Sequence, residues 1–500
     1  MTESKSTTKG VNRVKDTFVL GIDLGTQGVR AMVANLRGEV IVEEKEDIRF
    51  SLQEGRRFEQ DPREWWEKTK RCVAKTLAAF STLGHPLTSL RAISCDSTSG
   101  TIVPVDAQGQ PLMHALMYND SRAQEEAHIV NEAAQDFTER LGYRFDPSFA
   151  LCKVLWLKRN LPEIFEKAAY FLHPTDYLVG HLTGVFGISD ISNTLKMGYD
   201  LMEKRWPSFI EEKLGIPLKK LPRVVKSGEI IGTLSPSLAR TWGLSPRTLV
   251  VSGATDGTAA FYASGATRAG DVSSTLGTTL VVRSISEHHV KDPLGRVYCH
   301  LHPEGFWLPG GASNTGGECL THFFPQANLA EWDERVALLS LPTGLIVYPM
   351  VRKGERFPFA HPEAEFFSLG ERKDDLEFYA ACLEGVGYVE RYGFELLEHL
   401  GATRIQRVFV SGSGAKSAIW RKIRANILGL PLYLPRFPDA ALGACIMAAC
   451  PLFGGISQAA QNMVRVVAQE DPDPALSALY GEKYRRFVEE CAKRGYIQST

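Results

Sequence analysis

Residues 19–33 read Val-Leu-Gly-Ile-Asp-Leu-Gly-Thr-Gln-Gly-Val-Arg-Ala-Met-Val. The short apolar run Val19–Ile22 suits a buried strand. Asp23 stands at its end, Gly25-Thr26-Gln27-Gly28 makes a tight turn, and Val29–Val33 resumes as a second strand. Glycines let backbone N–H groups approach an anion closely, and a Thr hydroxyl adds a donor, so this hairpin has the makings of a phosphate clamp. Asp23 cannot bind phosphate itself, because like charges repel. Its natural partner is a divalent cation bridging to phosphate. An ordinary glycine hairpin is the plainer alternative.

Two later stretches weigh against the plainer alternative. Residues 272–283, VSSTLGTTLVVR, again run strand, Gly277-Thr278-Thr279, strand, as a diverged echo of the first clamp. Residues 408–416, VFVSGSGAK, are an apolar strand leading into a Ser/Gly turn, with Lys416-Ser417 opening a helix that ends near Gly429-Leu430-Pro431. Such a strand-to-helix turn can accept a flat base or ribose against bare backbone, with helix N-terminal N–H groups beside it. Gly412, Ser413, Gly414 and Ala415 are the candidate residues.

The 500 residues exceed one ordinary core and imply two domains. Hydrophobic content of 44% and charged content of 23% are normal for a globular protein. A net charge of −1 favours neither nucleic acid nor an anionic membrane. No apolar run reaches the length of a bilayer span. Residues 1–16 are polar, lack an apolar leader core and read as a flexible tail. Nine scattered cysteines without CxxC pairing suggest neither zinc nor disulfides, and a reducing cytoplasm is the expected setting.

Asp61-Pro62-Arg63-Glu64 is a helix start, with Asp as cap and Pro at the first helical position. The helix that follows is expected to bury Trp66, Val73, Leu77 and Phe80. Ala92–Cys95 reads as a strand ending at Asp96-Ser97-Thr98-Ser99-Gly100, and Thr101–Tyr118 as a hairpin. Asp256-Gly257 ends another strand before a small-residue helix. A carboxylate there can take a proton in a cleft or merely cap the helix. Asp375–Leu400 reads as one long helix stopped by Gly401, and Pro474–Lys493 as a terminal amphipathic helix. Gly385 and Gly387 in the long helix are expected to permit close packing.

These pieces together resemble the actin-like ATPase superfamily and, within it, the FGGY carbohydrate kinases. The resemblance runs from about Phe18 to about Ala492. It is carried by GIDLGTQGVRAMV (21–33), FEQDPREWW (58–66), YNDSRA (118–123), GATDGTAAFYASGA (253–266), STLGTT (274–279), GGASNTGG (310–317), GSGAKSAIWRKIRANILGLP (412–431) and DAALGACIMAA (439–449).

The resemblance implies an α/β fold of two actin-like, ribonuclease H-like domains, each a mixed sheet flanked by helices, with an interdomain cleft. The expected bounds are 17–253 for the sugar-binding domain and 254–495 for the nucleotide-binding domain. It implies ATP and Mg2+, with Asp23 on the metal and Asp256 as general base. Gly25, Thr26 and Gln27 would meet the phosphates from one domain, and Gly277, Thr278 and Thr279 from the other. Gly311, Asn314 and Asn426 would lie by the nucleotide. Asp96, Ser97, Thr98, Asn119, Asp120 and Arg122 would meet the sugar, although an Asp120–Arg122 pair could equally be structural.

The turn Asp96-Ser97-Thr98 looks closer to that of ribulose-handling members, so a ketopentose, D-ribulose or D-xylulose, is the expected acceptor. Glycerol, gluconate or a sedoheptulose-like ketose are alternatives. The other rivals are a chaperone-type ATPase and a non-catalytic binding relative. The expected partners are small molecules, with a homodimer left open and no nucleic acid or membrane.

Overall fold

Asp23 stands at the carboxyl end of the strand Phe18–Gly25, and two antiparallel neighbours, Gly28–Asn35 and Val40–Asp47, continue the sheet from there. On its other side Phe18–Gly25 pairs in parallel with Leu90–Ser97, which in turn pairs with Leu249–Val251 and Ala254–Thr255. Ile230–Thr233 closes that edge, giving a mixed seven-stranded sheet. The structure, a computed structural model, describes residues 17–49 and 51–497; the expected tail at 1–16 lies outside the described residues.

Alternation sorts the two faces of this sheet. Leu20, Ile22 and Leu24 join Val73, Leu77 and Phe80 of the helix Pro62–Thr82 in one core. Each such side chain contributes on the order of 1.5–3 kcal/mol by leaving water. Asp61 caps that helix by accepting from Arg63 N, as expected. The tryptophan fully buried in this core is Trp65, not Trp66, because its Nε1 donates to Gln60 at 2.8 Å. Gly21 and Asp23 face the other way, onto the helix Ala440–Phe453. A Cβ on Gly21 would lie 2.4 Å from Ala441 O, so only glycine lets that helix so close.

The second sheet also has seven strands, ordered Tyr298–Leu301, Trp307–Ala312, Leu280–Ser284, Asp271–Leu276, Arg407–Ser411, Leu432–Pro435 and Val466–Glu470. Its centre repeats the first. The hairpin Asp271–Leu276 and Leu280–Ser284 lies in parallel beside Arg407–Ser411, as the first hairpin lies beside Leu90–Ser97. The helices Asp375–His399, Ala418–Leu428 and Pro474–Lys493 cover it. The glycines of the long helix do permit close packing. A Cβ on Gly385 would lie 2.1 Å from Val347 O, and one on Gly387 would strike Ile427.

The chain forms two compact units, and a late segment, Phe437–Val464, returns to the first of them. One contains Met1–Glu139, Arg144–Gly265 and Phe437–Val464; the other contains Arg140–Tyr143, Ala266–Arg436 and Arg465–Thr500. The late return has a packing cause. Gly443 lets Ala440–Phe453 rest on the helix Asp256–Ala263, where a Cβ would fall 2.0 Å from Ala259 O. Among the described residues, no single helix is long and apolar enough to cross a membrane.

Candidate active site

Three aspartates end three adjacent strands of the first unit. Asp23 is in register with Asp96, and Asp96 with Ala254, two residues before Asp256. Register partners in a parallel pair share a face, so Asp23 and Asp96 project together. Asp23 is 8% exposed and accepts from Arg30 Nε at 3.0 Å and Nη2 at 2.6 Å. Arg30 also lies within 3.7 Å of Asp439, the cap of Ala440–Phe453. The positive end of that helix and the Arg30 cation thus offset the carboxylates collected here.

Asp96 is fully buried, and among the described residues no donor group reaches either of its oxygens, which leaves its carboxyl to face that of Asp23. Burial, then the charges of Asp23 and Asp256, push its carboxyl well above the usual carboxylate range. Its neighbours are engaged internally. Ser97 Oγ is 2.6 Å from Thr175 Oγ1 and also accepts from Thr175 N. Thr98 Oγ1 is 3.0 Å from Thr101 Oγ1. The hydroxyls of both residues therefore shape the turn.

Asp256 is the first residue of the helix Asp256–Ala263, after Thr255 at the cap position. Its Oδ1 accepts from its neighbour Gly257 N at 2.6 Å. Thr255 donates its own N–H to Ser192 Oγ at 2.9 Å, a contact the sequence does not announce. Lys196 supplies positive charge nearby. Burial lowers its ammonium, while Asp256 and then Asp146 raise it in opposition.

The second polar stretch is tied to the first. Lys153, fully buried, donates to Gly100 O at 3.0 Å and to Met117 O at 2.5 Å. Burial pushes its amine down to about 7. Asp120 accepts from Phe58 N, Arg122 N and the Arg122 guanidinium, while Arg122 also donates to Glu59 at 2.7 Å and lies over the Trp156 ring. The Asp120–Arg122 pair is thus a built-in brace. Beside it, Asn119 carries a buried amide oxygen with no partner among the described residues, which suits a sugar hydroxyl.

In the first hairpin, Thr26 O accepts from Gln60 Nε2 at 2.7 Å and Gln27 O from Ile48 N at 2.9 Å. These bonds fix the turn of Gly25, Thr26 and Gln27 while Gln27 stays exposed. In the second unit, the turn of Gly277, Thr278 and Thr279 is supported by the 313–318 loop. Gly317 N donates to Gly277 O, Glu318 N to Thr278 O and Leu280 N to Thr315 O. Glu355 anchors that loop, accepting from Ser313 Oγ, Thr315 Oγ1, Tyr348 OH and Asn314 N. Gly311 lies back in its strand against the Phe357 ring, a packing position.

Gly412 has φ +84°, and a Cβ there would lie 2.4 Å from Leu276 O; glycine alone fits the turn. Ser413 is exposed, Gly414 and Ala415 are buried, and Arg421 Nη1 holds Ala415 O at 2.8 Å. Asn426 does not join them. It sits near the far end of Ala418–Leu428, roughly 12 Å along the axis from the turn. Its amide oxygen accepts from Asp473 N at 2.7 Å, before the helix Pro474–Lys493.

Comparison with known proteins shows the family. The model described as the N-terminal domain of the FGGY family of carbohydrate kinases matches residues 18–262, and the model for the C-terminal domain matches residues 272–451. The chain is 29% identical over 452 residues to the xylulose kinase of Escherichia coli (strain K12), covering 86% of this chain and 89% of that one. It is 27% identical over 456 residues to the gluconokinase of Bacillus licheniformis, covering 86% and 87%. The crystal structure of a xyloylose kinase from Brucella ovis matches with a TM-score of 0.85 at 26% identity, over 95% of this chain and 98% of that one.

Proposed function

The chain belongs to the FGGY family of carbohydrate kinases and is an ATP-using sugar kinase, and from that premise we propose that its acceptor is a ketopentose, D-xylulose before D-ribulose. The observation that carries this reading is the likeness, over nearly the whole of both chains, to the Escherichia coli xylulose kinase. The Asp96-Ser97-Thr98 turn keeps D-ribulose in view as second acceptor.

In the proposed reaction, Asp256 accepts the proton of one sugar hydroxyl as that oxygen attacks the γ-phosphorus of ATP, and the bond to the bridging oxygen breaks to release ADP. The carboxylate's task is to aim the oxygen and take its proton. Thr26 and Gln27 are the phosphate-orienting candidates of the first unit; Gly277, Thr278 and Thr279 are, separately, those of the second. Gly412–Ala415 receive the adenosine. Asn119, with its orphaned amide oxygen, and Asp96 serve the sugar side, where an unpaired buried hydroxyl would cost on the order of 1–3 kcal/mol.

The donor set fits Mg2+. No cluster of three or more His, Cys, Asp or Glu side chains among the described residues is arranged to hold a metal alone. Mg2+ commonly takes one or two carboxylates and completes its shell with phosphate and water. Asp23 would hold it, and the ion would neutralise charge on the phosphates. All nine cysteines are free thiols, which supports a cytoplasmic setting.

Gluconate is the second reading, and one observation favours it. The Lys196 side chain runs beside Gly100, where a Cβ would meet its Cδ at 3.1 Å, so an ammonium is at hand for a sugar acid. ADP release measured with D-xylulose, D-ribulose, gluconate, glycerol and no sugar tests both readings. The highest kcat/KM on D-xylulose is expected. The highest value on gluconate would replace the first reading with the second, and sugar-independent release would sink both.

A further inference from the structure

We infer that Ser192, set by Asp190, is a positioning residue for Asp256; this rests on the reading of Asp256 as the general base. The two lie on the segment Ser189-Asp190-Ile191-Ser192-Asn193. Asp190 ends the short strand Ile188–Asp190, which pairs in parallel with Arg223–Val225. That pairing fixes its backbone.

The hydrogen bonds have one direction. Asp190 Oδ1 accepts from Ser192 N at 2.8 Å, Ser192 Oγ at 2.5 Å and Asn193 N at 3.2 Å; its Oδ2 accepts from Asn193 Nδ2 at 2.6 Å. A carboxylate surrounded by donors only accepts. The Ser192 hydroxyl must therefore give its hydrogen to Asp190 and turn its lone pairs outward. One of those receives Thr255 N–H at 2.9 Å. Asp190, Ser192 and Thr255 are all buried, so bulk water does not compete for these bonds.

Thr255 is the residue on which Asp256 hangs. On one side its two-residue strand, Ala254–Thr255, pairs with Asp96 and Ser97. A Cβ on Gly253 would fall 1.8 Å from Cys95 O, so the chain is pressed against that strand. On the other side Ser192 holds the N–H. A pairing of only two residues resists twisting poorly, and the side bond to Ser192 removes that freedom just before the carboxylate. A shift of about 1 Å in a reacting group can cost on the order of 10²-fold in rate.

The test compares Ser192→Ala and Ser192→Thr, with Asp256→Asn alongside, by steady-state kinetics and by calorimetric titration of ATP in the absence of sugar. Ser192→Ala is expected to lower kcat roughly 10- to 100-fold, with ATP affinity and both KM values within about twofold of wild type; Ser192→Thr, which keeps the hydroxyl, should restore most of kcat. Loss of ATP affinity or of both KM values in step with kcat would show general structural damage and overturn the inference. So would wild-type kcat in a folded Ser192→Ala variant while Asp256→Asn is inactive. Full activity of Asp256→Asn would instead remove the general-base reading on which the inference stands.

Discussion

Arg30 directs two donors, Nε at 3.0 Å and Nη2 at 2.6 Å, to a single oxygen of Asp23, Oδ2. The bond crosses the first hairpin between register partners, so the backbone that forms the turn also sets the ion pair. Asp23 is thereby oriented before any ligand arrives. Asp23→Asn should preserve the fold and the hairpin, because an amide is nearly isosteric. Turnover is expected to fall by at least ~10²-fold, with a flattened Mg2+ titration and unchanged sugar binding. A wild-type Mg2+ titration at wild-type rate would show that Asp23 does not hold the ion.

Asp256→Asn should fold normally and lose about 10²- to 10⁴-fold in kcat, the usual range for a lost general base. ATP affinity should stay within twofold, since the proposed adenosine turn is at Gly412–Ala415. Calorimetric binding and kcat measured on one preparation check this. An early-melting variant that retains kcat would reduce Asp256 to a helix-start residue.

Lys153→Met should raise the KM for sugar on the order of tenfold. The ammonium or amine of Lys153 is the shared tie between the turn ending at Gly100 and the strand end at Met117. A lost bond of this kind is worth about 1–3 kcal/mol, and each 1.4 kcal/mol is tenfold. The KM for ATP should not move by more than twofold. Equal changes in both constants would count against a sugar-side role.

Glu384 gives a pH dependence of stability. It is fully buried, accepts from Thr343 N, Thr343 Oγ1 and Tyr480 OH, and burial pushes its carboxyl from 4.5 up to about 7. The folded chain therefore keeps a proton that the unfolded chain releases between those values. Its contribution to stability is whole below pH 4.5 and declines as pH rises to 7, with a slope of at most about 1.4 kcal/mol per pH unit. Urea unfolding of Glu384→Gln should show a smaller loss of stability between pH 5 and pH 8 than wild type. An unchanged loss would mean that Glu384 does not titrate in this window.

The parts of the site visible in sequence are those whose chemistry is local. A Gly/Thr turn flanked by apolar strands needs no distant partner to be recognised, and both hairpins are where the sequence puts them. Trp65 and Trp66 are adjacent large apolar residues, and periodicity does not separate them; the choice falls to Gln60, whose side chain receives the Trp65 indole. Asp120 and Arg122 read alike as sugar ligands or as a brace, until Phe58 N and Glu59 are seen to close around them. Asn426 misleads because its partner, Asp473, lies 47 residues on. Ser192 is silent for the same reason, 63 residues before Thr255. The return of Phe437–Val464 to the first unit is not legible in the sequence because no shift in composition marks it.

That return sets a timetable for biosynthesis. Cys445 of the helix Ala440–Phe453 donates to Met32 O across 413 positions. At about 5–20 residues per second, a ribosome leaves an interval on the order of 20–80 s between the two. Throughout it, the sheet face bearing Gly21 and Asp23 has been made but not yet roofed. The first unit to emerge is thus among the last to be finished, and a nascent chain halted before residue 437 exposes the glycine-lined face that its own late helix was built to cover.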